Sequence, residues 1–244
     1  MPETPIDMTN IIFETENIHA GGPRVDLKPE QFDLLIHQKG YRVTWEQAMF
    51  CSCYSTSGQP NYECDTCHGL GYVYFNPVET RIAVASIAGN KQQDRIGLND
   101  VGYAYATTKT SDLVGFRDRF TFTDFTTRFS EVVERQPVGI PDILRYPVTS
   151  INCVRQLDMI FTIEEDFIVD PNSPRQLLWL TESIVPGDNY SILYITKPVY
   201  IVINIEHEIR GSWVVSHALG GEKFVALPKK YQLKREDFLH ESTR

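Results

Sequence analysis

The sequence predicts a mainly β protein, a sandwich or a small barrel, carrying a short N-terminal helix and a small zinc-ribbon-like module. Three observations predict it. Beyond residue 77, run after run is rich in Val, Ile, Thr, Tyr and Phe, several alternating apolar with polar. Turn-forming triplets such as Asn172-Ser173-Pro174 and Pro186-Gly187-Asp188 punctuate those runs, while long helical patterns are hard to find. Four of the five cysteines, finally, fall within the seventeen positions from Cys51 to Cys67.

Residues 1–25 carry Pro2, Pro5, Gly21, Gly22 and Pro23 with weak periodicity, which reads as an extended arm that orders against a partner. Residues 26–77 form a helix-plus-cysteine unit. In its segment 29–39, Pro29 suits a first helical turn, Phe32, Leu35 and Ile36 make one apolar stripe, and Gly40 is expected as a left-handed stop. His37 borders that stripe as a polar edge. Residues 41–45 read as a strand feeding the cysteines, and 72–75 as a strand leaving them.

A β-rich body is expected over 78–210, with strands at 80–87, 103–108, 119–125, 129–135, 143–148, 150–156, 176–180, 190–196 and 199–205. Asp118 and Asp124 flank a Phe-rich strand and are expected on its wet face. Ile201, Ile203 and Ile205 mark an inward face, and 206–210 the polar end of that strand. Residues 211–244 read as a C-terminal arm, basic over 229–235.

Cys51-Ser-Cys53 and Cys64-Asp-Thr-Cys67 are two close thiol pairs joined by a short polar segment containing Ser, Gly, Pro and Asn. Such an arrangement converges on one tetrahedral Zn²⁺, so Cys51, Cys53, Cys64 and Cys67 are the expected ligands of a structural zinc. Gly69 and Gly71 follow the second pair, where a tight turn bringing amides toward sulfur calls for positive φ. The single residue between Cys51 and Cys53 departs from the usual two-residue spacing. Two disulfides, or His68 in place of one cysteine, are alternative readings of the same residues. Cys153 lies apart in an apolar segment and reads as a buried free thiol.

A catalytic zinc keeps one position open beside ligands of mixed type, whereas four thiolates close the site. Nucleic-acid reading by a zinc module wants Lys and Arg around the knuckles, and there are none between Cys51 and Gly71. The formal net charge of -9, from 23 Lys and Arg against 32 Asp and Glu, disfavours general phosphate affinity. No apolar run is long enough for a membrane helix, the N-terminus lacks a secretory layout, and a reduced, cytosolic site of synthesis suits the thiols. His207, between Glu206 and Glu208, is the densest ionisable cluster outside the tail and reads as a strand end rather than a catalytic base. No phosphate loop, nucleophile elbow, zinc-protease helix or paired-carboxylate motif occurs, and the chain reads as a non-enzyme.

The short helix, the C-x-C and C-x-x-C-x-G-x-G cluster introduced by Trp45-Glu-Gln-Ala-Met-Phe50, the acidic β-rich body and the tail Leu227-Pro-Lys-Lys-Tyr-Gln-Leu-Lys-Arg-Glu-Asp-Phe238 together resemble virion structural proteins of tailed bacteriophages, in the head-to-tail connector or neck class. The C-x-x-C-x-G-x-G half alone is also similar to zinc repeats of J-domain chaperones, but only one such pair occurs and no J-domain precedes it. The phage resemblance implies a ring-forming adaptor in the virion, made in the host cytoplasm. Its partners would be copies of itself and portal, tail or collar proteins, with packaged DNA nearby, no membrane and no active site. The alternatives are another tail, collar or baseplate protein, or a zinc-containing nucleic-acid-binding module.

Overall fold

The computed structural model describes residues 29–54, 59–61, 64, 66–67, 69–85, 102–206, 209–216 and 221–239. The expected arm at 1–25, and His207 and Glu208 of the ionisable cluster, lie outside the described residues. The chain is mainly β, and both of the expected architectures are present, a closed barrel and a sandwich.

Helix α1 (Pro29–Lys39) buries Ile36 while Leu35 stays 53% exposed, so the expected stripe narrows to Ile36 with Phe32 half-buried. The chain leaves α1 through Gly40, whose N–H donates to the Ile36 carbonyl at 2.8 Å. A Cβ there would sit 2.5 Å from that same oxygen. Gly40 is not in the left-handed region, so close approach rather than positive φ is what demands glycine at this stop.

Strands β1 (Tyr41–Phe50), β2 (Tyr72–Ala85), β3 (Tyr103–Thr107), β4 (Arg119–Phe122), β12 (Val199–Glu206) and β15 (Lys230–Arg235) close an antiparallel barrel in the order β1-β2-β3-β15-β12-β4. Val43, Trp45, Ile82, Ala106, Phe120, Phe122, Val202, Tyr231 and Leu233 fill its interior. Two expected boundaries fall inside this barrel. Residue 77 does not end a unit, because β2 runs through it. The Trp45↔Val78 and Gln47↔Phe75 pairs leave Asn76 and Pro77 opposite Glu46 in a bulge. That bulge takes up both the missing proline N–H and the φ of 53° at Asn76. The segment expected as a C-terminal arm instead contributes β15, which lies between β3 and β12 and buries Tyr231 and Leu233. Its basic residues are tied down there: Lys230 pairs with Glu206 at 3.0 Å and Arg235 with Asp237 at 2.6 Å. Strand β12 carries a bulge between Val202 and Asn204, which breaks the expected alternation: Val202 and Ile205 pack in the barrel core, while Ile201 is buried outside that cluster.

The sandwich is an insertion between β4 and β12, two strands that pair with each other. One of its layers is β5 (Thr127–Glu134), β11 (Asn189–Thr196), β7 (Ser150–Gln156) and β8 (Met159–Phe161); the other is β6 (Asp142–Ile143), β10 (Gln176–Trp179) and β9 (Phe167–Val169). Val154, Phe161, Phe167, Leu177, Tyr190, Ile192 and Tyr194 from the two layers share one core. A two-stranded hairpin, β13 (Gly211–Ser216) and β14 (Gly221–Ala226), follows β12.

Candidate metal centre

The four cysteines stand at the neck of the long β1–β2 connection. Strand β1 ends at Phe50, directly before Cys51, and β2 starts at Tyr72, five residues after Cys67. The Phe50↔Tyr72 pair is the last rung of the ladder. One further bond, from Cys51 N–H to the Gly71 carbonyl at 2.8 Å, continues it into the loop. The hairpin therefore brings Cys51 and Cys67, sixteen positions apart, to one place by ordinary β pairing.

Around that neck, Tyr54 N–H donates to Cys51 O at 3.0 Å, Cys64 N–H to Asn61 O at 3.2 Å, and Leu70 N–H to Cys67 O at 3.0 Å. Gly71 N–H donates to Cys67 Sγ at 3.3 Å, a backbone amide turned toward sulfur as the sequence implied. Gly69 and Gly71 have φ of 81° and 77°, the left-handed values that an L side chain resists. At Gly71 a Cβ would also lie 2.6 Å from the Tyr54 ring. Phe50, Tyr54 and Tyr72 stack edge-on or tilted around the neck, with Phe50 5.1 Å from Tyr54 and 5.0 Å from Tyr72.

All four Sγ atoms lie within 4.8 Å of one another. Cys51 and Cys64 are 3.7 Å apart, Cys53 and Cys67 3.4 Å, and all five cysteines of the chain are free thiols. A tetrahedral Zn²⁺ with Zn–S bonds of about 2.3 Å needs sulfurs about 3.8 Å apart, so the donor set fits such an ion in both chemistry and spacing. Cys51 and Cys67 are buried, at 3% and 2% exposure, and Cys53 and Cys64 are half-buried. Crowding of the sulfurs is visible in their acidity. At Cys53 a backbone hydrogen bond from Asn61 favours the thiolate, but desolvation and the neighbouring sulfurs outweigh it and push the thiol up to about 12. Backbone bonds from Cys67 and Thr66 lower Cys64 to about 6. A bound dication cancels the mutual repulsion of thiolates, and its binding releases the protons that repulsion retains.

Glu63, Asp65 and His68 lie outside the described residues. Cys153, on β7, is half-buried rather than buried and faces Leu193 across the sheet. Asp118 corrects the expectation of a wet face: it is 4% exposed and its carboxylate accepts hydrogen bonds from Trp45 Nε1 at 2.8 Å, Ala48 N–H at 2.9 Å and Gly115 N–H at 2.8 Å. Those three donors replace the water that the acid loses, and they tie the loop before β4 to β1. Asp124, by contrast, is exposed as expected and pairs with Arg42.

Sequence reasoning missed the cleft that joins the cysteine neck to the sandwich. Its volume is about 760 Å³, and Cys67, Leu70 and Tyr74 face Arg145, Tyr146 and Glu236 across it. Arg119 closes one side through a bidentate pair with Glu46 at 2.8 and 3.0 Å and lies 4.0 Å over the Tyr74 ring. Burial raises the Glu236 carboxyl above the ordinary range, against the pull of Arg119 and Arg145. The only sequence signal for this cleft was the acidic pair Glu236-Asp237 after a basic run, and the groups that act on Glu236 there, Arg119, Arg145 and Tyr146, lie far away along the chain. Among the described residues, no helix is long and apolar enough to cross a membrane.

No protein-family model matches this chain, and no curated protein matches it.

Proposed function

We propose that this chain is a structural subunit of a tailed-phage particle, a ring-forming head-to-tail connector in which one Zn²⁺ staples the β1–β2 loop. The observation that carries the reading is the closed set of four sulfurs at the hairpin neck, all within 4.8 Å of one another. Cys51, Cys53, Cys64 and Cys67 would hold the ion, and a full thiolate complement leaves it no position for substrate or water. The metal then acts as a crosslink, and its binding free energy becomes folding free energy for the loop.

The rest of the molecule is compatible with an assembly role. Ile140, Ile143, Leu157, Met159, Ile160 and Val185 leave the sandwich with exposed apolar side chains at several edges and turns. A subunit in a ring presents two different faces to its neighbours, and such residues are suited to heterologous contacts. The acidic net charge of -9 suits a surface beside which duplex DNA slides without sticking.

Two measurements test the reading separately. Elemental analysis of the purified protein is expected to give one zinc per chain, and a metal-free, fully folded protein would remove the staple. Light scattering and negative-stain imaging across a concentration series are expected to show closed rings of cyclic symmetry, alone or with the other particle proteins. A chain that remains monomeric under all these conditions would overturn the connector assignment while leaving the zinc site untouched.

A further inference from the structure

Buried polar groups in folded proteins are nearly always hydrogen-bonded, so a cluster of them without partners calls for an explanation. Three residues with such an atom line the cleft of about 760 Å³ between the cysteine neck and the sandwich. Arg145 Nη2, Tyr146 Oη and Glu236 Oε2 are shut off from solvent and have no hydrogen-bond partner among the described residues. Tyr146 is 7% exposed and Glu236 3%. Arg145 and Tyr146 belong to the sandwich and Glu236 to the turn after β15, so the fold, and not a local motif, brings them together. The charges of Arg119 and Arg145 both act on Glu236 there.

One cation of the cleft keeps a free edge. Arg119 is already held by Glu46 at 2.8 and 3.0 Å. Arg175 Nε donates to the Leu144 carbonyl at 2.9 Å, which ties its guanidinium to the sandwich, while its two Nη groups have no partner among the described residues. The side chain is exposed, so that fork is open to an incoming anion. A guanidinium fork matches the two oxygens of a carboxylate in one plane. Charge balance then favours a monoanion. Glu131, on the same cleft, is engaged by the sandwich itself, its Oε1 accepting from Arg145 N–H at 3.0 Å and from Tyr194 Oη at 2.7 Å. Burial biases Glu236 toward its neutral form. Beside these two acids a phosphate dianion meets more repulsion than a single carboxylate does. Leu70, Val73 and Ile143 add apolar lining, and the volume falls within the range of small-molecule sites.

We propose that this cleft binds a small organic monocarboxylate, with the Arg175 fork on its carboxylate and its apolar body against Leu70, Val73 and Ile143. Seating the ligand gives Arg145 and Tyr146 an oxygen acceptor for donors that otherwise lack one. The proposal is independent of the virion reading, since every residue it uses belongs to one chain.

The test uses the full chain, titrated with a panel of aliphatic and aromatic monocarboxylates that includes hydrocinnamate, and with the neutral amide of hydrocinnamate, phenyl phosphate and a capped glutamyl peptide. Calorimetry and backbone amide shifts follow the binding. At least one monocarboxylate is expected to saturate a single site per chain and to move the amides of Ile143, Leu144, Arg145, Tyr146 and Arg175, with its amide about tenfold weaker. Arg175→Ala is expected to weaken that binding about tenfold at an unchanged Tm, and Arg175→Lys to recover only part of it. Ile143 is 51% exposed, so its replacement leaves the core intact. Ile143→Glu should weaken carboxylate binding about tenfold while Ile143→Lys does not, a difference that a merely loosened fold would not produce. Absence of binding across the panel, equal binding of acid and amide, or affinity indifferent to Arg175 and to the charge at position 143 would overturn the proposal. Tighter binding of phenyl phosphate would make this a phosphate site, and tighter binding of the peptide would assign it to a protein partner; either would overturn it too.

Discussion

The sandwich and the β1–β2 loop are held in place by opposite means. In the sandwich, Phe161, Trp179, Phe167 and Tyr190 pack ring against ring at about 5 Å, over a floor that includes Leu144, Val154, Leu177 and Ile192. Even its buried charge is provided for: Asp142, fully buried, accepts from Tyr190 Oη at 2.7 Å, Trp179 Nε1 at 2.8 Å and Gln136 N–H at 2.8 Å, and lies 3.6 Å from the buried Arg135. In the loop, the buried side chains among the described residues are those of Cys51 and Cys67. Hydrophobic burial grows with the area removed from water, and a loop that buries two thiols gains too little to offset the entropy of ordering its chain. The difference teaches where a metal would add most: at a loop whose described residues belong to neither core.

The largest effect should therefore come from the sulfurs. Replacing Cys64→Ser, or removing zinc with a chelator, is expected to abolish stoichiometric metal, a loss on the order of 10 kcal/mol of binding free energy at neutral pH. Hydrogen exchange over 51–71 should accelerate strongly, while the amides of β7 and β11 keep their protection. Equal loosening of the sandwich would break the contrast, because it would make the metal a determinant of the whole fold.

Next in size is the reciprocal change. Asp142→Ala strands three donors and leaves Arg135 as a buried uncompensated charge, which is expected to cost about 3–5 kcal/mol. Denaturant titration followed by tryptophan emission measures the loss, and zinc content should stay at one per chain. Asp142→Asn keeps the shape and part of the acceptor capacity, so its cost should be smaller. A drop in zinc content in either variant would show that the two regions are coupled through the cleft between Cys67 and Tyr146.

How far the sequence could be read divides along the same line. The convergence of the four cysteines was legible because it is local: two thiol pairs and two glycines fall within twenty-one residues, and the sulfurs lie within 4.8 Å of one another. Part of the strand inventory was legible too, since 150–156 coincides with β7 and most other expected runs fall within a residue or two, but β8, β9, β13, β14 and β15 were not read and the run at 143–148 meets β6 at Ile143 alone. Barrel closure was not, because it depends on pairings such as β15 with β3 and β12 with β4 that join distant segments of chain. Pro77 looked like a boundary and lies in a bulge; Asp118 looked solvated and is satisfied by three N–H donors. In both cases the residue type was read correctly and its partners, far off in sequence, reversed the meaning.

Within the loop itself a smaller effect isolates backbone from sulfur. Gly71→Ala keeps every ligand but forces a Cβ into a residue at φ 77° and against the Tyr54 ring at 2.6 Å. The cost is expected at about 1–3 kcal/mol, read as weaker zinc affinity in competition with a chromogenic chelator. Unchanged affinity would mean that the turn relaxes freely, and that the sulfurs alone set the geometry.

The smallest effect belongs to the barrel surface, where Asp124 meets Arg42 in solvent. Hydrogen bonding from Arg42 holds the Asp124 carboxyl below its ordinary range, with Arg81 and Lys197 adding to the pull. Because the folded value is depressed, the unfolded chain binds the proton more readily. The pair's contribution is thus fully present above the unfolded pKa of about 3.9 and is lost as pH falls through the folded value. Asp124→Asn should therefore differ slightly from the parent in denaturation midpoint between pH 5 and 8, with no slope there, and the two should converge in acid. Added salt should narrow the gap, since exposed pairs are screened.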